Sequence, residues 1–385
     1  MKRVIILGAG KSGQGASLLL QKQNYEVLLA DRTKGSLRDD PSLSLEGVSL
    51  LLLSPGVSVA HPLVEKAKTL GIRVTGEIEW GLLSLPCQQQ KKIAITGTNG
   101  KTTTVLLLEH LLRSAGRKAR ALGNVGASLC EYALSPDPEE ILIVEVSSFQ
   151  LETLAPLPWF DAALILNITP NHLDRHTSMQ EYADCKLKLQ HCLKKEGTFF
   201  VSRQVQETFS LSHPLQLITT ENAAISLALH LGVDSQSIQK ALPSFCKPPH
   251  RMEWVAEIDQ VTYYNDSKAS NVDAVIHALS LVSGPVILLA GGVDKGSSYQ
   301  PWIAAFAHKV KALLLFGAAA GKMERELAGA FSLVRVETLA EAVEEARRLA
   351  KSGDQVLLSP GCSSFDQFAN YEERGQIFRN LVRKK

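Results

Sequence analysis

The chain has 385 residues, 45% hydrophobic and 21% charged, with 41 Lys and Arg against 39 Asp and Glu for a formal net charge of +2. At roughly 150 residues per domain this length predicts two to four domains, with apolar residues enough for large cores. The near balance of charge excludes a nucleic-acid binder held by a global basic field, but it leaves room for a local pocket that takes a phosphorylated small molecule. The six cysteines, Cys87, Cys130, Cys185, Cys192, Cys246 and Cys362, form no C-x-x-C pair. That argues against a zinc ribbon or thioredoxin-type site and for scattered thiols in a reducing compartment. No apolar run approaches the ~18 residues of a membrane span, and residues 4–7 are too short a run for a signal-peptide core. The expectation is a cytoplasmic protein with no membrane insertion and no nucleic-acid partner.

Short apolar runs at 4–7, 27–30 and 50–53 read as strands, and residues 15–23, with Leu18, Leu19 and Leu20, read as a buried helix between the first two. This alternation predicts a parallel sheet with helices on both faces. The polar stretch 86–92 reads as a linker. A second unit opens with a strand at 93–95, a glycine-rich turn and a helix at 102–115, followed by strands at 141–146 and 162–168. Lys247-Pro248-Pro249 marks a second break, since two prolines stop a helix. The third unit holds strands at 261–264, 286–289, 312–316 and 356–358. Its helix 339–351 turns Ala342, Ala346 and Leu349 inward and Glu341, Glu344, Glu345, Arg347 and Arg348 toward water. The prediction is three α/β domains, 1–88, 89–247 and 248–385.

Several loops after strands carry chemistry. Gly8-Ala9-Gly10-Lys11-Ser12-Gly13 fits G-x-G-x-x-G between a strand and a helix, and Asp31 ends the next strand. Backbone N–H groups and a helix start there would cradle a nucleotide diphosphate, or the glycines serve only a tight turn. Ser54-Pro55-Gly56 ends the third strand and could border the same pocket. Ile95-Thr96-Gly97-Thr98-Asn99-Gly100-Lys101-Thr102-Thr103 is sharper: its glycines free N–H groups for phosphates, Lys101 neutralises β/γ oxygens and the Thr102 hydroxyl suits Mg²⁺. Ile95 stands at the first glycine position of the usual P-loop. Glu145, in Val144-Glu145-Val146-Ser147-Ser148, ends the strand expected beside the P-loop strand; it is either a magnesium ligand or a solvated strand-end acid. His172 follows another strand end. Residues 181–191 read as an ordinary helix whose Lys186 and Lys188 are expected in solvent. Three polar loops, residues 265–271, 291–296 and 359–368, each follow a strand and should gather on one sheet edge, with Lys268 and Lys295 marking an anion site.

Together these motifs resemble the Mur ligases, the ATP-dependent amide ligases that build the peptidoglycan stem peptide. The loop 97–103 and Glu145-Val146-Ser147-Ser148 carry the wider resemblance. Ser148-Phe149-Gln150-Leu151-Glu152, residues 265–271 and 359–368 resemble the member that adds D-glutamate. The resemblance implies a Rossmann-like N-terminal domain that binds the UDP substrate, a central P-loop ATPase-like parallel-sheet domain, and a Rossmann-like C-terminal domain that binds the amino acid. It implies UDP-N-acetylmuramoyl-L-alanine and D-glutamate as substrates, ATP and two Mg²⁺ ions as cofactors, an acyl-phosphate intermediate, and a monomer. Lys101, His172 and Lys186 would be catalytic. Gly97, Thr98, Asn99, Gly100, Lys101, Thr102, Thr103, Asn222, Arg251 and Asp266 would bind ATP. Thr102 and Glu145 would hold one magnesium, and His172 with a carbamylated Lys186 the other. Gly10, Lys11, Ser12, Asp31, Arg32, Ser54, Pro55, Gly56, Asn124 and Ser147 would contact the UDP substrate. Ser270, Lys295, Ser364 and Tyr371 would grip D-glutamate.

The sequence departs from the family pattern in places. It is short, with the shortfall expected around 199–220, where the usual Gly-x-His-Asn is missing and only Asn222 matches. Asn171 replaces an Asp, Ser270 a Thr, Tyr371 a Phe and Gly361 an Ala. Two alternatives are a nicotinamide-dependent oxidoreductase, which leaves the Lys101 loop unexplained, and a degenerate non-catalytic binding module. Related ligases that add a diamino acid or extend folate fit residues 148–152 and 265–271 less well.

Overall fold

The computed structural model describes residues 2–33, 35–86, 89–213, 215–306 and 308–384. Cys87 and the expected 88/89 boundary fall at or beside residues outside this set. The chain divides into two compact units, Met1–Ile168 with Gln180–Phe245, and Thr169–Met179 with Cys246–Lys385.

The first unit contains two sheets. Strands β1 (Arg3–Leu7), β2 (Glu26–Ala30), β3 (Val48–Leu53) and β4 (Arg73–Gly76) form a parallel sheet in the order β2-β1-β3-β4. Strands β5 (Lys92–Thr96), β6 (Ala119–Gly123), β7 (Ile141–Glu145), β8 (Phe160–Ile165), β9 (Leu193–Ser202) and β10 (Leu215–Ile218) form a second, in the order β10-β9-β8-β5-β7-β6. Its pairs are all parallel. Central strands covered by helices on both faces lose their polar alternation, which is why 4–7, 93–95 and 162–165 read as unbroken apolar runs. The helix Lys101–Ser114 buries Val105, Leu108, Leu111 and Leu112 against Ile93 and Ile95.

The two sheets share one unit because the helix Glu77–Ser84 is tied to the second. Glu77 Oε1 accepts the Cys130 N–H at 2.7 Å, and Glu79 Oε2 accepts that of Ala155 at 2.6 Å. A Cβ on Gly81 would lie 2.6 Å from the Leu129 Cβ, so only glycine allows that approach.

The second unit holds β11 (Glu253–Ile258), β12 (Val261–Asn265), β13 (Val286–Gly291), β14 (Val310–Phe316), β15 (Leu333–Arg335) and β16 (Gln355–Gly361), in the order β11-β12-β16-β13-β14-β15. Only β11 runs antiparallel. Successive strands step outward from β13 to β15, and then β16 returns to the other side of β13. The order therefore reverses between β13 and β16, the place where open α/β sheets bind ligands. Apolar clusters cover both faces.

The expected strands are present, with shifted ends. The sequence reading missed β4, β6, β9, β10, β11 and β15, which are short or rich in polar and small residues, such as Ala119-Arg120-Ala121-Leu122-Gly123. The helix expected at 181–191 is an α-helix, Met179–Leu187, running into a 3-10 turn, Lys188–Cys192. Arg347, expected toward water, instead donates to the Leu381 and Val382 carbonyls and so caps the last helix. Among the described residues no helix is long and apolar enough to cross a membrane.

Candidate active site

The loop after β5 is built by glycine geometry and then latched. Gly97 has φ +153° and Gly100 φ +84°, and Lys101 starts the helix. A Cβ on Gly97 would meet the Leu166 Cβ at 2.9 Å. Asn167, just past β8, fastens the loop: its carbonyl accepts the Thr98 N–H at 2.9 Å, and its Oδ1 accepts that of Asn99 at 2.8 Å. Its Nδ2 donates to the Asn99 carbonyl at 3.2 Å. The Thr98 hydroxyl lies 3.0 Å from the Tyr182 hydroxyl.

Two lysines meet on this loop. Lys101 Nζ donates to the carbonyls of Gly97 at 2.8 Å and Thr98 at 2.9 Å. Lys186 Nζ donates to the same Gly97 carbonyl at 3.0 Å. Lys186 is 1% exposed, which corrects the expectation of a solvated side chain. Burial, reinforced by the Lys101 charge, holds its amine well below the ordinary lysine range. Lys188 is not free in solvent either; it donates to the Leu151 and Glu152 carbonyls at the end of the helix Ser148–Thr153.

Glu145 ends β7, beside β5, and is 1% exposed, so it is not a solvated strand-end acid. Asn124 Nδ2 donates to its Oε1 at 2.7 Å. Ser147 is committed to a capping box with Gln150, which starts the helix Ser148–Thr153.

On the first sheet, Ser54 Oγ donates to the Gly8 carbonyl at 2.7 Å, tying the two glycine turns together. A Cβ on Gly13 would lie 1.9 Å from the Gly8 oxygen. Asp31 accepts the N–H groups of Ala9 at 2.8 Å and Thr33 at 2.9 Å, so its carboxylate braces the turn. Gly10 precedes the helix Lys11–Lys22 without a side-chain cap, and Gly10, Lys11, Arg32 and Gly56 are exposed, with Ser12 and Pro55 half-buried. Ser54 and Pro55 border a narrow cleft with Glu77, Phe149 and Gln150. Asn222 is exposed at the start of the helix Ala223–His230, and Thr220 stands 3.6 Å from where a Gly100 Cβ would be.

In the second unit, His172 is left-handed (φ +56°), and its N–H donates to Asn171 Oδ1 at 3.0 Å. At the sheet edge, Asp266 accepts the Met252 N–H at 3.1 Å and the Ser359 hydroxyl at 3.0 Å. Burial pushes its carboxyl up to about 7, against the pull of those bonds and of the Arg251 charge. Lys295 Nζ donates to the Ser270 hydroxyl at 3.1 Å, joining two residues expected to act together. Val293 and Ser363 exchange backbone bonds at 2.8 and 3.1 Å, which zips their loops together; the next residue, Ser364, is buried. Lys268 Nζ sits 3.6 Å from the centre of the Tyr371 ring, a cation–π contact.

Comparison with known proteins gives this geometry a lineage. Residues 95–226 match the Mur ligase middle domain, and residues 250–362 match the Mur ligase, glutamate ligase domain. A UDP-N-acetylmuramoylalanine–D-glutamate ligase of Protochlamydia amoebophila is 37% identical over 438 aligned positions, covering 99% of this chain and 98% of that protein. The chain belongs to the Mur ligase family. A ligase of the same name from Chlamydia pneumoniae is 35% identical, covering 100% of this chain and 98% of its own. The alignment of 438 positions exceeds the 385 residues of this Mur ligase, so the first relative carries segments with no counterpart here.

Solved structures agree on the fold. The MurF ligase of Thermotoga maritima, in complex with ADP, superposes with a TM-score of 0.63 at 16% identity, covering 98% of this chain and 94% of that one. The UDP-N-acetylmuramate–alanine ligase of the same organism gives 0.61 at 14% identity, with 99% of each chain covered.

For a Mur ligase the donor set beside the P-loop suits a magnesium nucleotide. Glu145 Oε2 is buried with no hydrogen-bond partner, an arrangement that costs free energy unless a cation or donor completes it. Burial disfavours the charged form of Lys186, and the uncharged amine is the form of lysine that adds to carbon dioxide. Motif reading missed two residues here. Asn167, two residues past the end of β8, was given no role by the sequence reading. Glu77, 2% exposed and pushed up to about 7 by burial, sits in Gly76-Glu77-Ile78-Glu79, a stretch with no apolar-out pattern to flag it.

Proposed function

We propose that this ATP-dependent Mur ligase joins D-glutamate to UDP-N-acetylmuramoyl-L-alanine through an acyl phosphate, releasing ADP and phosphate. The observation that carries the reading is the P-loop arrangement: Lys101 and a buried Lys186 on one carbonyl, close to the end of β7 where Glu145 keeps an unpartnered oxygen. Full-length likeness to relatives bearing that name supports the choice of substrates.

In the first step the L-alanyl carboxylate oxygen bonds to the γ-phosphorus and the bond to the bridging β-oxygen breaks, leaving ADP. In the second, the D-glutamate amine attacks the acyl carbon, phosphate departs with its bonding pair, and the nitrogen loses a proton. Lys101 would leave its loop carbonyls to neutralise the β/γ oxygens. Two magnesium ions, when bound, would supply further charge neutralisation, one held by Thr102 and Glu145 and the other by a carbamylated Lys186 and His172, as the resemblance implies. The carbamate forms when the lysine nitrogen bonds to the carbon of carbon dioxide and gives up a proton. Residues 97–103 and Asn222, with Arg251 and Asp266, are assigned to ATP. Gly10, Lys11, Ser12, Asp31, Arg32, Ser54, Pro55, Gly56, Asn124 and Ser147 are assigned to the UDP substrate, and Ser270, Lys295, Ser364 and Tyr371 to D-glutamate. The buried or half-buried cysteines Cys130, Cys185, Cys192 and Cys362 are thiols outside any disulfide, which suits a cytoplasmic reaction.

The test is phosphate release from ATP with magnesium and UDP-N-acetylmuramoyl-L-alanine, comparing D-glutamate with other amino acids and weighing the product by mass spectrometry. Release only with D-glutamate, with a product heavier by one dehydrated glutamate, is expected. Release with another amino acid alone would overturn the substrate assignment. Silence with every acceptor, from folded protein, would favour a non-catalytic binding module.

A further inference from the structure

Arg374 lies in the first turn of the helix Tyr371–Arg383 and is fully buried. Its Nε donates to the Ser267 hydroxyl at 3.0 Å, and its Nη2 to the carbonyls of Ser267 at 2.8 Å and Cys362 at 3.1 Å. Its Nη1 points to the Gly291 carbonyl at 3.5 Å. Ser267 follows β12, Gly291 ends β13 and Cys362 follows β16. One planar guanidinium therefore spans three separate loops, and they are the loops that carry Ser270, Lys295 and Ser364.

The neighbourhood is trimmed to admit it. A Cβ on Gly292 would lie 3.1 Å from Arg374 Nη1 and 2.1 Å from the Ser363 oxygen. A Cβ on Gly375 would strike the His250 ring at 2.1 Å. The Ser267 hydroxyl in turn donates to the Tyr371 carbonyl at 2.9 Å, closing the link back to the helix. Every acceptor of the guanidinium is a neutral oxygen, and among the described residues no carboxylate pairs with it. Burial lowers its proton affinity only to about 10, so it stays charged at neutral pH. The Asp366 charge offsets part of the burial cost from a distance, but among the described residues no carboxylate bonds the guanidinium directly, and an apolar side chain of similar volume would cost less. What the guanidinium supplies instead is a fixed fork with five donors and a positive charge behind the loops.

We propose that Arg374 is a positioning residue for the amino-acid substrate, holding the loops of Ser270, Lys295 and Ser364 in one register and favouring a dicarboxylate at that edge. The inference rests on the assignment of those loops to D-glutamate. The test is steady-state kinetics on the full chain for Arg374→Met, Arg374→Lys and Ser267→Ala, with KM measured for D-glutamate, UDP-N-acetylmuramoyl-L-alanine and ATP, and melting followed by circular dichroism. Loss of a charged hydrogen-bonding group predicts a KM for D-glutamate raised roughly 10- to 100-fold in Arg374→Met, with the other two KM values within about twofold. Arg374→Lys should fall between, since the charge stays and the bridging is lost. Ser267→Ala should raise the same KM by a smaller factor.

A purely structural Arg374 would lower melting and the active fraction, and hence apparent kcat, while leaving KM for D-glutamate unchanged; that result overturns the proposal, as does an equal rise in all three KM values. If both Arg374 variants fail to fold, Ser267→Ala decides, and an unchanged KM for D-glutamate overturns the proposal. Failure of the substrate assignment is read separately, from wild-type protein that forms no D-glutamyl product. In that case the same variants are scored on the KM of the acceptor that does react, with the same outcomes supporting or overturning the role of Arg374.

Discussion

The two sheet edges assigned here to ATP and to the amino acid are built differently. The edge after β5 is one continuous loop whose backbone does most of the work, with Gly97 and Gly100 setting the path and Asn167 latching it from the next strand. The edge of the second unit is assembled from three loops far apart in sequence, and a side chain, Arg374, reaches each of them. A phosphate chain is bound well by N–H groups of one loop. Discriminating among amino acids needs side chains from several directions, and those directions have to be fixed by something.

The comparison is broken most severely at Lys186. Lys186→Ala should lower turnover by on the order of 10²–10³-fold, the range seen when one charge-stabilising group is removed from a transition state. Added short-chain carboxylates should partly restore it by standing in for the carbamate, and wild-type rates in the mutant would refute the carbamate. Asn167→Ala sharpens the contrast. Removing the latch should raise KM for ATP by roughly 10-fold and leave KM for D-glutamate near wild type, the reverse of the Arg374 pattern. Equal changes in both constants would mean the edges are not independently built.

The smallest effect concerns Glu77. Its carboxyl is raised from 4.5 to about 7 in the folded chain, so the folded state binds the proton more tightly than the unfolded state. The stability it contributes is therefore present at low pH and lost as pH rises from about 4.5 through about 7. Glu77→Gln should melt higher than wild type at pH 8, and the difference should shrink as pH falls through 7. A pH-independent difference would show that the carboxyl does not titrate there.

What the sequence disclosed follows from contiguity. The P-loop, Glu145 and the three loops of the second unit are each local strings at strand ends, and they were legible as such. Lys186 was legible only through the family resemblance, since its residues alone read as a solvated helix face, and Arg374 was given no role; both depend on burial. Yet both leave a trace. Lys186 shares a helix face with Tyr182, Ala183 and Leu187, and Arg374 shares one with Phe378 and Val382, all of them buried. A charged residue on the apolar stripe of a helix is the signal that was available. Edge strands such as β10 and β15 were missed for a different reason: with three or four residues each and part of the strand in solvent, they carry too little period to read.

The outer margin of the second sheet is thin. The crossover from β9, ending at Ser202, to β10, starting at Leu215, runs over residues 203–214 and includes the 6-residue helix Arg203–Thr208, so the whole connection is near the minimum of about a dozen residues that a parallel crossover needs. Among the described residues β10 pairs with β9 alone, and two strands, β9 and β8, separate it from the P-loop strand β5. Growth or deletion at this margin changes an outlying hem of the sheet. A change of length here would still leave β9 and β8 between it and the loop after β5.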